Sequence, residues 1–513
     1  MDDDRPPKLW LSMWKRFGLA AILIAALAGT ATASVALNKA SEIAHLVFQS
    51  QIKGAPKGLI TEEYAGGPKS FLVLGTDRRA HSNDALDREN PPHSDTILLV
   101  RFDPSQGETT LLSIPRDLLV TIKTKEGAVY ANQKINAAYT LGSRLGGSSE
   151  GSLLAAETIK REVFPSLKLS GIVDVNFAGF IRLVDTLGCA YVSVDHRYYN
   201  QNVGSPETDY TSINLQPGYQ KLCYENALDY VRYRHTDSDF VRVARQQDFL
   251  RDLREQMNPS DIEGQLESVA KAVGHAITTT IKPSAATLIE LAKLIAFSQG
   301  KPIRQVKFRS SNVNAVINGG SYVTSTPGLE QATLEEFLGS KPEAGEGSSS
   351  STHTAQSSSH HPRYHAHVIS ARSAGMVRTS GESEVVKAAL GMPFRVLYPA
   401  YQTAPSSQDT TRPYALRDEH GHLHQAYVVV WRQNGIDGYY DFEGTNWLNP
   451  PLFAHAHERK LHGRDYKVVY DGAHIHVLGW RQGNVLYWVT NTLLEDLSND
   501  QMWVVAKSAQ SLH

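Results

Sequence analysis

Gly75-Thr-Asp77, Ile114-Pro-Arg-Asp117 and the run Tyr230-Val-Arg-Tyr-Arg-His-Thr-Asp-Ser-Asp-Phe-Val-Arg-Val-Ala-Arg-Gln246 hold the residue types a diphosphate chemistry needs. Asp77 and the neighbouring Asp95 offer hard oxygen ligands. Mg²⁺, or Mn²⁺, takes such ligands together with water and substrate phosphate. Arginine forks match phosphate oxygens in a bidentate way and stay charged. Arg116 follows Pro115, which fixes the backbone at the end of an apolar run. Arg232 and Arg234 are two apart and project from one face of an extended segment. Arg242 and Gln246 are four apart and share a helix face, with Arg245 as their near neighbour. Taken singly, each Asp reads as a turn or cap residue. Each Arg taken singly reads as part of a solvated face paired with Asp237, Asp239 and Asp248. The combination points to a site for a cation and a diphosphate.

The elements that position these residues can be read nearby. Phe71–Leu74, Thr96–Val100 and Thr109–Ile114 are short apolar strands. As an up-and-down meander they bring Asp77, Asp95 and Arg116 to one edge. Asp103 falls at the far end, on the order of 25 Å away by strand rise, and reads as a turn residue before Pro104. Gly151–Phe164 and Phe177–Leu187 are expected as helices flanking a strand at Ile172–Val175, and Asp239–Met257 as a further helix. Phe164, Phe177, Phe180, Ile181 and Val184 could line an apolar pocket, although apolar helix faces usually belong to the core.

The 513 residues suffice for two or three domains, and 53 acidic against 51 basic side chains leave a net charge of −2. That balance lacks the basic footprint of a duplex nucleic-acid binder. Cys189 and Cys223 are too few for a disulfide scaffold or a four-cysteine zinc site. Outside the cytoplasm they could form one bridge, and otherwise they are two unpaired thiols. Residues 1–16 read as a cytoplasmic tail, with Lys8, Lys15 and Arg16 setting its side of the membrane. Residues 17–37 form an uncharged apolar run about as long as one membrane-spanning helix. Small residues at Ala31-Thr-Ala33 and Ser34-Val-Ala36 resemble cleavage sites, but the run exceeds a usual signal core, which favours an uncleaved anchor.

Residues 38–69 then read as a stalk and 70–257 as the main globular domain. Residues 258–340 read as a helical extension, with helices at Ile262–Thr278 and Ala285–Ser298 and a strand-like Arg304–Arg309. The Ser- and His-rich 341–361 reads as a linker. Residues 362–513 read as a separate, mainly β domain. Its strands are expected at Tyr427–Trp431, Tyr466–Tyr470, His474–Trp480 and Val485–Val489, with turns at Asp471-Gly472 and Gly483-Asn484 and a last helix near Leu493–Ser508. The histidines near the linker, His353, His360, His361, His365 and His367, lack a defined ligand spacing. His474 and His476 share a strand face and read as a surface pair.

The motifs from Phe71 to Arg254 resemble the LytR-CpsA-Psr family of bacterial cell-envelope proteins. The resemblance rests on Gly75-Thr-Asp77, Ser94-Asp-Thr96, Leu112-Ser-Ile-Pro-Arg-Asp117, Lys134-Ile-Asn-Ala-Ala-Tyr139, Val184-Asp-Thr-Leu-Gly188, Ala227-Leu-Asp-Tyr-Val-Arg-Tyr-Arg234 and Asp239-Phe-Val-Arg242 with Arg245-Gln246, all in family order. It implies an α/β fold, an α/β/α sandwich with a central mixed sheet and an apolar pocket for a polyprenyl chain. It implies transfer of a phosphorylated glycopolymer from a polyprenyl diphosphate carrier to peptidoglycan at the outer face of the cell membrane. By that resemblance Asp77 and Asp95 would hold Mg²⁺, and Arg116, Arg232, Arg234, Arg242 and Gln246 would bind the diphosphate, with their neighbour Arg245 a further candidate for it. Asp117 or Asp239 would take the acceptor's proton, unless Asp117 only orients Arg116. Two positions depart from the pattern: Cys189 replaces the second Gly of a Leu-Gly-Gly, and Val241 stands where a Gly often precedes the arginine. A hydrolase splitting the same diphosphate, or a noncatalytic envelope regulator, are the alternatives.

Overall fold

The computed structural model describes residues 37–61, 67–77, 92–201, 212–233, 237, 239–257, 265–298, 303–339, 370–379, 382–389, 391–434, 438–461 and 463–511. The first domain opens on helix α1, residues 37–47. Strands β1 (Lys69–Thr76), β2 (Ser94–Asp103) and β3 (Glu108–Ser113) form an antiparallel meander. A hairpin of β4 (Leu119–Lys123) and β5 (Val129–Lys134) follows. Next comes the helical segment α2 (Ala137–Thr158), which breaks at Gly146 and Gly147 and folds back on itself. At the crossing a Cβ on Gly142 would lie 2.5 Å from the Glu150 carbonyl oxygen, so only glycine permits the approach. Strand β6 (Gly171–Asn176) returns parallel to β1.

On β1, β2 and β3 the alternating Leu72, Leu74, Ile97, Leu99 and Leu112 share a core with Leu153 and Ala156 from the helical segment and Ile159 just after it. Strand pleat puts alternate residues on one face, which is why this apolar pattern builds a sheet with a covered side. Full burial of each such side chain stabilises the fold by about 2 kcal/mol.

Helix α3 (Phe177–Thr186) leads to strands β7 (Ala190–Val194), β8 (Tyr198–Asn200), β9 (Ile213–Leu215) and β10 (Gly218–Leu222). Helices α4 (Tyr224–Arg232) and α5 (Asp239–Gln256) complete this lobe. Ala190 pairs with Leu222 across β7 and β10. Cys189 and Cys223 flank that pair and form a disulfide with a Cα–Cα separation of 4.9 Å. Cys189 has φ 68°, the left-handed region that favours glycine.

The region expected as a helical extension belongs to this fold. After α6 (Leu266–Ala276), the chain turns into β11 (Ile277–Thr279), an edge strand on β6. After α7 (Ala285–Ser298), β12 (Ile303–Val306) pairs in parallel with β3. The central sheet is therefore mixed and six-stranded, in the order β11-β6-β1-β2-β3-β12. A hairpin of β13 (Asn312–Ile317) and β14 (Gly320–Thr324) and helix α8 (Pro327–Leu338) close the domain. The described part of the expected stalk packs on the fold too: Ile43, Ala44 and Phe48 are buried, and Gln51 bridges to Thr279 beside β11. The run at 17–37 lies, apart from Leu37, outside the described residues, as does the linker with its histidines. Among the described residues no helix is long and apolar enough to cross a membrane.

The C-terminal region is a separate β-rich fold. Its short elements are β15 (Met376–Arg378), α9 (Glu382–Ala389), β16 (Leu397–Pro399) and β17 (Tyr401–Thr403). The main sheet joins β18 (Ser406–Arg417), β19 (Leu423–Gln433), β20 (Gly438–Thr445), β21 (His457–Leu461), β22 (Arg464–Asp471), β23 (His474–Gln482) and β24 (Val485–Thr490). All its neighbours are antiparallel, in the order β18-β19-β20-β24-β23-β22-β21. Gly472 and Gly483 take positive φ in the turns on either side of β23. Trp431, Phe442, Trp480 and Trp503 share one core, the last from helix α10 (Asn499–Lys507). Ser498 and Gln501 form a capping box at the start of that helix.

The two folds share a core at their contact. Tyr191 of β7 and Tyr219 of β10 cluster with Leu416, Trp447, Phe453 and Trp488 of the C-terminal fold. Glu443 of β20 accepts hydrogen bonds from the Tyr219 N–H at 3.2 Å, the Ser193 hydroxyl at 3.3 Å and the Tyr414 hydroxyl. Asp441, two residues back on the same strand face, is also fully buried. Burial pushes both carboxyls upward, above the usual carboxylate range. A carboxyl raised in the folded state contributes stability that is complete below its unfolded value and is lost as pH rises through its folded one. Thermal unfolding is therefore expected at a lower temperature at about pH 8 than at about pH 5.5, by a few degrees. Glu443→Gln should flatten that dependence; an unchanged slope would place the titration elsewhere.

Candidate active site

The edge of the central sheet where β1 ends and β2 begins gathers the charged motifs. Gly75 is required there, because a Cβ would come 2.9 Å from Cβ of Thr96. The β1–β2 register shifts between Gly75 and Thr76, so Thr76 pairs with Ser94. Asp77 follows directly: its N–H donates to the His93 carbonyl at 3.3 Å, and its Oδ1 accepts from the His93 N–H at 2.5 Å. The chain leaving β3 returns to this edge, where Arg116 Nη1 donates to Asp95 Oδ1 at 2.5 Å. From the far lobe, Arg242 Nη2 donates to the Asp95 backbone carbonyl at 3.1 Å. Arg232, the last residue of α4, stacks over the Phe177 ring at 3.9 Å and acts on Asp77 and Asp95 through its charge.

The two carboxylates differ. Burial pushes Asp95 upward, but Arg116 and Arg242 together outweigh it and hold the carboxyl below its ordinary value. Asp77 moves the other way: burial raises it and the Asp95 charge adds to that, with the His93 N–H and Arg232 only partly opposing. A pair of acids beside three arginines favours a ligand that brings both positive and negative charge, such as a cation–diphosphate complex. Among the described residues one oxygen of each carboxylate is engaged, leaving Asp77 Oδ2 and Asp95 Oδ2 for a hard cation. No group of three His, Cys, Asp or Glu that could hold a metal occurs among them. Water and phosphate oxygens would have to complete the shell, which is the usual manner of Mg²⁺.

The remaining motif residues are distributed as follows. Asp117 is buried, with Oδ1 2.8 Å from Lys134 Nζ and Oδ2 4.0 Å from Arg116 Nε, so its carboxylate steadies cations. Gln246 Nε2 donates to the Val231 carbonyl at 3.0 Å and ties α5 to α4. Arg245 is not on the shared edge. It is fully buried among Tyr198, Tyr230 and Tyr233, and its guanidinium is consumed by Asp237, the Tyr198 hydroxyl and the carbonyls of Tyr230 and Tyr233. Arg234 lies outside the described residues. Asp239 starts α5, and its side chain also lies outside them. Asp103 caps the β2–β3 turn, accepting from the N–H groups of Ser105 and Gln106. Phe164 and Val184 are core, whereas Phe177, Phe180 and Ile181 are half-buried against the core of the second lobe, Phe177 under Arg232.

Three supporting residues escaped the sequence reading. Gln247 Nε2 donates to Ser113 Oγ at 3.1 Å and pins α5 to the end of β3. Lys134 pairs with Asp117. Asp174 of β6 is fully buried and accepts from Thr76 Oγ1 at 2.9 Å, the Tyr139 hydroxyl at 2.6 Å and Ser152 Oγ at 3.1 Å. It thereby fixes the residue before Asp77. A signal existed for Asp174 alone, because a carboxylate inside an apolar strand requires partners.

The model of the LytR_cpsA_psr family matches residues 30–337, ending before β15. Biofilm regulatory protein A of Streptococcus mutans is 29% identical over 303 residues, covering 57% of this chain and 69% of that protein. Polyisoprenyl-teichoic acid–peptidoglycan teichoic acid transferase TagT of Bacillus subtilis is 30% identical over 251 residues, covering 48% of this chain and 71% of that protein. Of the solved structures, B. subtilis TagV shares 23% identity over 54% of this chain and 100% of its own, at a TM-score of 0.40.

Proposed function

This chain belongs to the LytR_cpsA_psr family, and we propose that it transfers a phosphorylated glycopolymer from a polyprenyl diphosphate carrier to peptidoglycan. The observation that carries this reading is the Asp95–Arg116 contact, with Asp77, Arg232 and Arg242 on the same edge. The name of the TagT relative supports the choice of donor and acceptor. Asp77 and Asp95 would hold Mg²⁺, which when bound supplies charge neutralisation at the diphosphate. Arg116, Arg232 and Arg242 bind the diphosphate oxygens and offset charge on the departing group. Arg234 joins them by motif.

An acceptor hydroxyl oxygen bonds to the phosphorus that carries the glycan. The bond from that phosphorus to the bridging oxygen breaks, and polyprenyl phosphate leaves with the electron pair. Asp117 is occupied by Lys134, so Asp239 is assigned the hydroxyl proton. The apolar run at 17–37 anchors the chain, with the catalytic domain outside the cytoplasm. The half-buried Phe177, Phe180 and Ile181 face the lipid end of the donor.

The test is product identity. The full chain is incubated with Mg²⁺, a polyprenyl diphosphate-linked glycan and peptidoglycan. Glycan joined to peptidoglycan through a phosphodiester is the expected product. Free phosphorylated glycan without that adduct would make the protein a hydrolase, and neither product would reject the site.

A further inference from the structure

The C-terminal fold grips the elements that carry the site arginines. On α5, Arg251 lies one turn beyond Asp248 and pairs with it at 2.9 Å. Arg251 Nη1 also lies 3.2 Å from Asp471 Oδ2, at the end of β22. Its Nη2 lies 2.8 Å from His476 Nε2 of β23. The other ring nitrogen of His476 is 2.5 Å from Glu495 Oε1. His476 is thus buried in the interface and not part of a surface pair. Burial, with the Arg251 charge, lowers its pKa to about 4, so the ring is neutral and Nε2 accepts from the guanidinium.

A second grip reaches Asp237, which lies between α4 and α5 in the chain. Asp237 engages Arg245 and stands 3.7 Å from His196 Nε2. The His196 ring stacks on Tyr439 of β20 at 4.1 Å. Both grips act on short lever arms. Arg251 and Arg242 are on one helix, about 13 Å apart along its axis. Asp237 is three residues from Arg234 and two from Asp239 in the chain. The C-terminal partners also complete a buried charge cluster: without Asp471 and His476, Arg251 keeps only the carboxylates of its own helix, Asp248 in direct contact and Asp252 and Glu255 through their charge.

We infer that the C-terminal domain is a positioning element of the diphosphate site, with Asp471 and His476 setting the attitude of α5 and Tyr439, through His196, the place of Asp237. The inference rests on the proposed diphosphate reading. Its test uses the full chain, farnesyl diphosphate with Mg²⁺ as the binding probe, and amide exchange as a readout independent of ligand. Asp471→Ala and Tyr439→Ala are each expected to weaken farnesyl diphosphate binding about tenfold and to speed exchange over residues 239–247, with β1 to β3 unchanged. Asp471→Glu, which keeps the charge, should stay within about twofold of the parent protein. Exchange at 239–247 equal to the parent in both alanine variants would overturn the inference. So would exchange rising equally across the whole first domain, which marks plain destabilisation. If the parent protein fails to bind the probe, the diphosphate reading falls, and exchange at 239–247 still decides the coupling.

Discussion

Arg116→Ala should lower the rate of glycan transfer by about a thousandfold, close to 4 kcal/mol of transition-state stabilisation. The side chain has two tasks. Its Nη1 holds Asp95 Oδ1 at 2.5 Å, and in the proposed reading its planar guanidinium also binds diphosphate oxygens. Losing it removes charge compensation where the leaving phosphate gains charge, a loss of the size seen when an oxyanion donor is deleted. It also removes the foremost influence that opposes burial at Asp95. The Asp95 pKa then rises, so the acid limb of the residual pH–rate profile should move to higher pH. Arg116→Lys keeps a charge but not the fork, and should recover only part of the loss. The contrast is read from kcat and KM of the three proteins, with thermal unfolding as the check on folding. A loss under about tenfold in Arg116→Ala would remove Arg116 from the reacting end of the site.

The shared edge was legible in the sequence because it depends on strand ends. Three apolar runs, each bounded by turn residues, leave few ways to arrange a meander, and the length of β2 then puts Asp103 at the far edge from Asp77, Asp95 and Arg116. The observed registers, Gly75 with Thr96 and Leu98 with Ser113, are the consequence. Strand β11 was not legible, because Ile277–Thr279 is too short to show alternation and follows a helical pattern. Strand β12 was legible as the strand-like Arg304–Arg309, but its place beside β3 in the central sheet was not.

The interface between the folds was hidden for a different reason. Asp248, Arg251, Asp252 and Glu255 at helical spacing look like a solvated face, and only the arrival of β22 and β23 makes that face interior. Tyr191 and Tyr219 carried a faint signal. They sit on β7 and β10, which pair only with each other and cannot cover both their own faces. Even with that signal, nothing in the chain before residue 370 says what covers them.

Arg245 illustrates the same limit, and the second large effect follows from it. Its spacing from Arg242 and Gln246 groups the three, yet a helix rotates about 100° per residue, and the tyrosines that receive Arg245 come from β8 and α4 and the residue after α4. Arg245→Ala should therefore cost about 3–5 kcal/mol of stability rather than mainly substrate affinity. The reasons add in one direction. Asp237 loses its cation within a closed site. The carbonyls of Tyr230 and Tyr233 lose donors at 3.2 and 2.8 Å. Tyr198 loses the guanidinium stacked on its ring at 4.4 Å. Asp195 loses part of what holds it ionised, since burial raises it and His196 and Arg245 are among the groups that bring it down. Arg245→Lys brings one charged point and three mobile donors where a fixed fork is needed, so it should recover less than half of the loss. On a chain of this size the alanine variant should unfold about 3–5 °C earlier. The discriminating measurement pairs a melting curve with farnesyl diphosphate affinity at a temperature where both proteins are folded. A ligand-contacting arginine would leave the melting temperature unchanged and weaken binding. An enclosed one lowers the melting temperature, and the affinity falls only as far as the displaced Asp237 disturbs its neighbours Arg234 and Asp239.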